Sequence, residues 1–315
     1  MSVLVTGGNG HLGAYVLKGL VEREEIPISY DIQPPPDGLN KIAGKIKFMK
    51  GDILNITDLL RAIKENGVDR IIHLAAIVTS ASQQNPVQAY QLNTGGTLNV
   101  LESARIMSIK RVVYSSSLSV YGFKEEGNPI KEDDQKEPVS LYGATKLFSE
   151  HLIYAYHKTF GVDFVVVRFP VIWGPSLENR IDKFSAHTSS KFSDIVEKPV
   201  RGEEAIIPGG NQKYELLYVK DAAYSLLLAL YAKKLEHRIF NIGSGCMISL
   251  QELAQIIKGY IPNSSIKISD GSDYFTVPGL SYEDISRAKE ELGYEPKYKP
   301  AQAVKDYMIS LGIPK

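Results

Sequence analysis

The stretch Thr6-Gly7-Gly8-Asn9-Gly10-His11-Leu12-Gly13 lies between a short apolar run, Ser2–Thr6, and a helical pattern over residues 11–23. Its glycines at 7, 10 and 13 have the spacing GxxGxxG. Small residues at these places permit a tight turn, and they let a pyrophosphate approach backbone N–H groups. The N-terminus of the following helix adds a favourable dipole. A glycine string alone is weak evidence, and its strand–turn–helix setting is what gives it meaning.

Outward from this turn, strands and helices alternate. Strands are predicted at 27–31, 46–50, 70–74, 111–115 and 164–168, with helices at 57–66, 87–107 and Leu141–Phe160 between them. The prolines at 34, 35 and 36 require a loop over 33–38. Gly67 and Gly161 mark helix ends. This alternation predicts an α/β fold, a Rossmann-type doubly wound parallel sheet with right-handed crossovers. Beyond Gly174 the rhythm changes, and residues 175–213 are richer in polar residues, Gly and Pro. Helices are expected near 221–232, 249–260, Ser286–Leu292 and 301–311, with a strand at 238–242. The expected division is an NAD-binding domain over 1–170 and a smaller mixed α/β C-terminal substrate lobe over 171–315. Segments around 215–245 are expected to return to the main domain.

Composition narrows the function classes. The 315 residues carry 36 Lys+Arg against 36 Asp+Glu, so net charge gives no support for a nucleic-acid or membrane-surface role. The single cysteine, Cys246, excludes an internal disulfide. The chain opens Met1-Ser2-Val3-Leu4-Val5, reading directly as a strand with no signal-peptide pattern, and its apolar runs are too short to span a bilayer. A cytoplasmic enzyme is expected. The six histidines show no metal-ligand spacing with Cys or carboxylates, so no metal is expected. His73 reads as a packed core histidine, and Trp173 fits either the pocket or the core.

Asp31 ends the second strand. Its carboxylate can accept hydrogen bonds from adenosine ribose hydroxyls and repels a 2′-phosphate; no Arg or Lys occurs over residues 32–40. NAD is therefore expected rather than NADP. Asp52, in Gly51-Asp52-Ile53, can reach the adenine or serve as a turn residue. Tyr142-Gly143-Ala144-Thr145-Lys146 places Tyr and Lys on one helix face. An adjacent ammonium is expected to lower the Tyr142 pKa by favouring the phenolate. Tyr114-Ser115-Ser116-Ser117 leaves the fifth strand toward the ligand crevice, where a hydroxyl can orient a substrate oxygen.

Together these segments resemble the extended short-chain dehydrogenase/reductase family, also called the NAD-dependent epimerase/dehydratase family. The resemblance extends to His73-Leu74-Ala75-Ala76, Asn93 with Gly95-Gly96-Thr97-Leu98-Asn99, Tyr218-Val219-Lys220-Asp221 and Asn241-Ile242-Gly243-Ser244-Gly245. It implies Tyr142 as acid/base, Lys146 as its electrostatic partner and Ser117 as the substrate-orienting hydroxyl. The cofactor contacts it implies are Gly7, Asn9, Gly10, His11, Leu12 and Gly13 in the turn, then Asp31, Asp52, Ile53, Leu74, Ala75, Ala76, Asn93, Ser115 and Pro170, with Tyr142 and Lys146. The long helices 87–107 and 141–160 resemble those that pair two subunits in this family, so a homodimer is expected.

Within the family, 4,6-dehydratases carry an Asp-Glu pair where this chain has Leu118-Ser119, which cannot serve as an acid for water elimination. Nucleotide-sugar epimerases hold the diphosphate with an Asn and two arginines; the matching positions here are Val171, a place near Lys213, and Val277. Two valines offer a phosphate no charge-assisted hydrogen bond. Arg180, Lys183 and Arg201 lie in the substrate lobe and can substitute if folded inward. The expectation is hydride transfer between NAD and a secondary alcohol of a small polyhydroxylated compound, such as a sugar, sugar acid or hydroxy acid. The alternatives are a nucleotide-sugar 4-epimerase with tightly bound NAD and a non-catalytic NAD-binding regulatory protein. The acidic stretch 131–137 reads as a solvated loop.

Overall fold

The computed structural model describes residues 2–122, 127–177, 190–209, 212–269 and 281–313. In chain order the elements are β1 (Ser2–Thr6), α1 (His11–Glu22), β2 (Ile28–Asp31), β3 (Lys47–Lys50), α2 (Ile56–Glu65), β4 (Val68–His73), α3 (Thr79–Gln84), α4 (Pro86–Tyr90), α5 (Thr97–Ile106), β5 (Arg111–Ser117), α6 (Leu141–Phe160), β6 (Phe164–Phe169) and β7 (Val171–Trp173). There follow α7 (Ser190–Val200), β8 (Ala205–Pro208), β9 (Lys213–Tyr218), α8 (Val219–Tyr231), β10 (Ile239–Asn241), β11 (Met247–Ser249), α9 (Leu250–Tyr260), β12 (Ile266–Ser269), α10 (Ser286–Leu292) and α11 (Pro300–Ser310).

Seven strands form one sheet in the order β10-β6-β5-β4-β1-β2-β3, every neighbouring pair parallel. Strands covered on both faces read as continuous apolar runs, and Phe164–Phe169 is buried at every residue. One face packs under α1 and α8 around Val5, Leu17, Val113, Leu226 and Phe240. The other packs under α2 and α5 around Leu4, Leu59, Ile71 and Val100. From β1 the chain winds outward through β2 and β3, then returns to β4 and winds the other way. The switch point lies between β1 and β4, where doubly wound sheets bind ligands beyond the strands' carboxyl ends.

The smaller sheets are mixed. β9 pairs antiparallel with β11 and parallel with β7, while β12 pairs parallel with β8. Trp173, the open case in the sequence, is buried and packs against Tyr218 and Tyr307 in the core of this region.

Two sequence expectations need correction. The helix expected over 87–107 is not uniform, because Gln91–Gly96 is a π-helical turn between α4 and α5. The turn shares its hydrogen bonding with side chains, since Thr94 and Thr97 hydroxyls donate to the carbonyls of Tyr90 and Asn93 at 2.6 Å each. The loop over 131–137 is not wholly solvated, because Glu132 is buried and accepts from the Asn241 backbone N–H at 3.0 Å.

Candidate active site

The glycine turn joins β1 to α1. Gly10 occupies the N-cap position, and no side-chain hydrogen bond closes it. Gly7 has φ +69°, and a Cβ there would lie 2.9 Å from the Ala75 amide nitrogen. A Cβ on Gly13 would collide with the Gly7 carbonyl oxygen. The turn is thus packed so closely, backbone on backbone, that a side chain at either place would push it out of shape. Such an uncapped, glycine-lined helix start fits a pyrophosphate.

Asn9 fastens this turn to β2. Its backbone N–H donates to Asp31 Oδ2 at 3.0 Å, its Nδ2 donates to the Gln33 carbonyl at 2.6 Å, and its Oδ1 accepts from Ser29 Oγ at 2.7 Å. Asp31 Oδ1 accepts from Gln33 N at 2.9 Å. Burial raises the Asp31 pKa above the ordinary carboxylate value, opposed by the backbone donors at Gln33, Asn9 and Ile32.

A cleft of about 340 Å³ brings together Gly7, Gly10, His11, Leu12 and Gly13 with Leu74 and Ala76 after β4, Ser115 and Ser117 on β5, Tyr142 and Lys146 on α6, and Pro170 after β6. These segments are distant in sequence, and the parallel topology assembles them because all leave the same sheet edge. Six other expected cofactor positions stand outside this lining. Asn9 and Asp31 act as described above. Asp52 is exposed and its Oδ1 accepts from Leu54 N at 2.9 Å, which is a turn role. Ile53 is buried against Gly96. Ala75 sits against Gly7, its amide 3.4 Å from Thr6 Oγ1. Asn93 is a buried brace. Its Oδ1 accepts from Ile77 N at 2.8 Å, and its Nδ2 donates to Ile77 O at 3.0 Å and Thr145 Oγ1 at 3.1 Å. His73 bridges Thr6 and Thr97 at 2.7 and 3.1 Å, and burial pushes its pKa down to about 3.

Helix α6 starts at Ser140, whose Oγ accepts from Gly143 N at 3.0 Å. One turn in, Lys146 is buried, and its Nζ donates to the Ser115 carbonyl at 2.6 Å. The same nitrogen lies 4.7 Å from the Tyr114 ring centre and 5.6 Å from that of Tyr142. Burial depresses the Lys146 pKa to about 7, opposed by the negative charge of Glu150. Tyr142 departs from expectation. Burial pushes its phenol up to about 12, and a hydrogen bond with Ser117 opposes this only in part. A lysine that has itself lost hydration is a weaker source of positive charge than the sequence suggests. Ser117 Oγ also meets Ser119, at 3.1 Å to its hydroxyl and 3.2 Å to its amide.

Sequence reasoning missed Glu150 and Arg168. They form a buried, two-pronged ion pair, with Nε to Oε1 at 2.9 Å and Nη2 to Oε2 at 2.6 Å. The signals were present: Glu150 falls one turn after Lys146, and Arg168 interrupts an apolar strand. Of the diphosphate positions, Val171 lines the cleft, while Lys213 is exposed on β9 opposite Ser249. The buried neighbour is Tyr214, whose hydroxyl accepts from Lys191 Nζ at 2.9 Å. Arg201 is also exposed, paired with Glu203 and Glu197. Val277, Arg180 and Lys183 lie outside the described residues. Among the described residues, no group of three or more His, Cys, Asp or Glu side chains could hold a metal ion. No described helix is long and apolar enough to cross a membrane.

The sheet order and the glycine turn are those of an NAD-dependent enzyme with a Rossmann-type fold. The chain belongs to the NAD dependent epimerase/dehydratase family, which it matches over residues 3–243. It is 33% identical over 308 residues to a putative UDP-glucose 4-epimerase of Methanocaldococcus jannaschii, with 96% of each chain covered. In structure it is similar to the UDP-glucose 4-epimerase of Thermotoga maritima solved with UDP-glucose, at TM-score 0.86 and 25% identity, covering 99% of this chain and 100% of that one. It shares its fold with the L-threonine dehydrogenase of Phytophthora infestans, at TM-score 0.85 and 22% identity over 99% of each chain.

Proposed function

We propose that the protein oxidises and reduces a secondary alcohol carbon of a small polyhydroxylated substrate, using Tyr142, Lys146 and Ser117. Tyr142 Oη, as the phenolate, takes the proton from the substrate hydroxyl as that carbon becomes a carbonyl, and as the phenol returns it in the reverse direction. Ser117 Oγ, already hydrogen-bonded to Tyr142, orients the substrate oxygen. Lys146 keeps positive charge beside the phenol and is placed to hold the nicotinamide ribose. NAD, when bound, accepts and returns the hydride and supplies in its cationic ring further charge that favours the phenolate. Asp31 accepts from the adenosine ribose, and the amides after Gly10 face the pyrophosphate. Residues 171–315 form the substrate lobe in this reading, apart from the stretch around 215–245.

The observation that carries the reading is the meeting of Ser117, Tyr142 and Lys146 in the cleft that also contains the glycine turn. A regulatory NAD binder has no need of that set. The small-substrate choice rests on Val171 and on the lining: among the described residues, Lys146 is its one Lys and no Arg joins it. A buried diphosphate left without partners costs several kcal/mol. A second reading, a nucleotide-sugar 4-epimerase, is favoured by the likeness to UDP-glucose 4-epimerases. Calorimetric titration of NAD-loaded protein with UDP and UDP-glucose separates the two. The first reading expects weak binding or none, with NADH formed from small hydroxylated compounds; micromolar UDP binding would replace it with the second.

The exposed apolar residues Val87, Tyr90, Leu98 and Ile106 on the α4–α5 side, and Phe148, Tyr154 and Phe160 on α6, support a homodimer built on these helices.

A further inference from the structure

Lys146 is buried among groups that offer it little compensation. The Ser115 carbonyl and the faces of Tyr114 and Tyr142 are its contacts. His73, whose pKa is depressed by burial and by Lys146 itself, stays neutral, and the two tyrosines have raised pKa values and stay neutral as well. Glu150, one turn along α6, is the negative charge acting on it. That carboxylate is immobilised from the sheet below. Arg168 on β6 grips both its oxygens, and Ser116 Oγ on β5 donates to Oε1 at 2.5 Å. Ser116 and Arg168 are register partners across the two strands, so the clamp is set by sheet geometry. Arg168 is braced in turn by the Tyr121 hydroxyl at 2.6 Å and the Glu132 carbonyl at 3.0 Å. Lys136 is a second cation facing the pair from the preceding loop.

We propose that Glu150 is a positioning residue for the reaction: its carboxylate, clamped between Arg168 and Ser116, keeps Lys146 charged beside Tyr142 and seated on the Ser115 carbonyl. This rests on the role proposed for Lys146 above. Loss of the carboxylate charge removes the negative charge acting on Lys146 and leaves Arg168, its former partner, an uncompensated cation beneath α6, so the lysine gives up its proton at lower pH. A contribution to packing alone would lower activity without changing where on the pH scale it is lost.

The test is the pH profile of kcat/KM for Glu150→Gln beside that of the unaltered protein, with the NAD dissociation constant followed calorimetrically over the same range. Both alkaline limbs are expected to move to lower pH by roughly one unit or more, the scale of a lost opposite charge at close range. Ser116→Ala keeps both charges, so it should lower turnover with the limb in place. If Glu150→Gln fails to fold, Glu150→Asp keeps the charge but draws it back, and a smaller shift in the same direction is expected. Unmoved limbs in the folded variant overturn the inference. Lys146→Met separates the two proposals: wild-type turnover there would remove the reading of the site itself, whereas a dead Lys146→Met with unmoved Glu150 limbs would remove only the role of Glu150.

Discussion

Asp31→Ala tests the cofactor site at its most specific point. The carboxylate is held from behind by backbone donors, Asn9 N at 3.0 Å and Gln33 N at 2.9 Å, with Ile32 beside them. In the proposed reading the carboxylate accepts from the two hydroxyls of the adenosine ribose. Hydrogen bonds to a charged group contribute about 1.5–3 kcal/mol each. Losing two, with water filling the gap, is expected to cost about 3 kcal/mol, roughly a hundredfold in NAD affinity. The same substitution removes repulsion of a 2′-phosphate, worth about 1 kcal/mol at 4 Å in water and up to about 4 kcal/mol near a protein surface. NADP also loses the 3′-hydroxyl bond, so the preference for NAD over NADP should narrow by roughly a hundredfold or more. Calorimetric titration with both nucleotides measures it. In the unaltered protein, affinity should fall on the acid side, beginning above the ordinary carboxylate range, because burial raises the Asp31 pKa and protonation removes both charge and acceptor. An unchanged NAD constant in Asp31→Ala, or unaltered protein that binds NADP as tightly as NAD, would refute the argument.

Other outcomes follow from the same geometry. Gly13→Ala drives a methyl into the Gly7 carbonyl, so it should destabilise by about 1–3 kcal/mol and weaken NAD binding; a normal melting curve with normal affinity would count against the close-packed cradle. His73 is held neutral, its pKa depressed from 6.5 to about 3. Below about 6.5 the unfolded chain binds a proton that the fold refuses, so stability should drop as pH falls, by about 1.4 kcal/mol per unit down to about pH 3; urea midpoints that stay flat between pH 7 and 5 would contradict this. Val87→Glu together with Phe148→Glu should turn a dimer into a monomer in sedimentation, and a monomeric unaltered protein at micromolar concentration would end the dimer reading.

Much of this fold was readable because local chemistry and global topology agree. The glycine turn, the β-branched runs and the helix-ending Gly161 each state their element without help from distant contacts. Less could be read where tertiary contacts override local pattern. The π turn around Asn93 depends on Ile77, Thr145 and the hydroxyl of Thr97, which come from other segments or other turns. Glu132 looks like any solvated acid until the Asn241 amide arrives from the far end of the chain. Tyr142 and Lys146 were visible as a pair, but their protonation was not. Spacing places the ammonium beside the phenol, whereas burial, a property of the whole fold, raises one pKa and lowers the other. Glu150 stayed hidden because its partners, Ser116 and Arg168, lie on two different strands.

The central claim is that Tyr142 moves the proton while NAD takes the hydride. NADH absorbance, followed in unaltered protein and in Tyr142→Phe against a library of small hydroxylated compounds, tests it most directly. The unaltered protein should reduce NAD with at least one such compound. Tyr142→Phe, with NAD binding little changed, should do so about a hundredfold more slowly or worse, the scale of a lost general acid–base. Near-normal turnover in Tyr142→Phe would contradict the account.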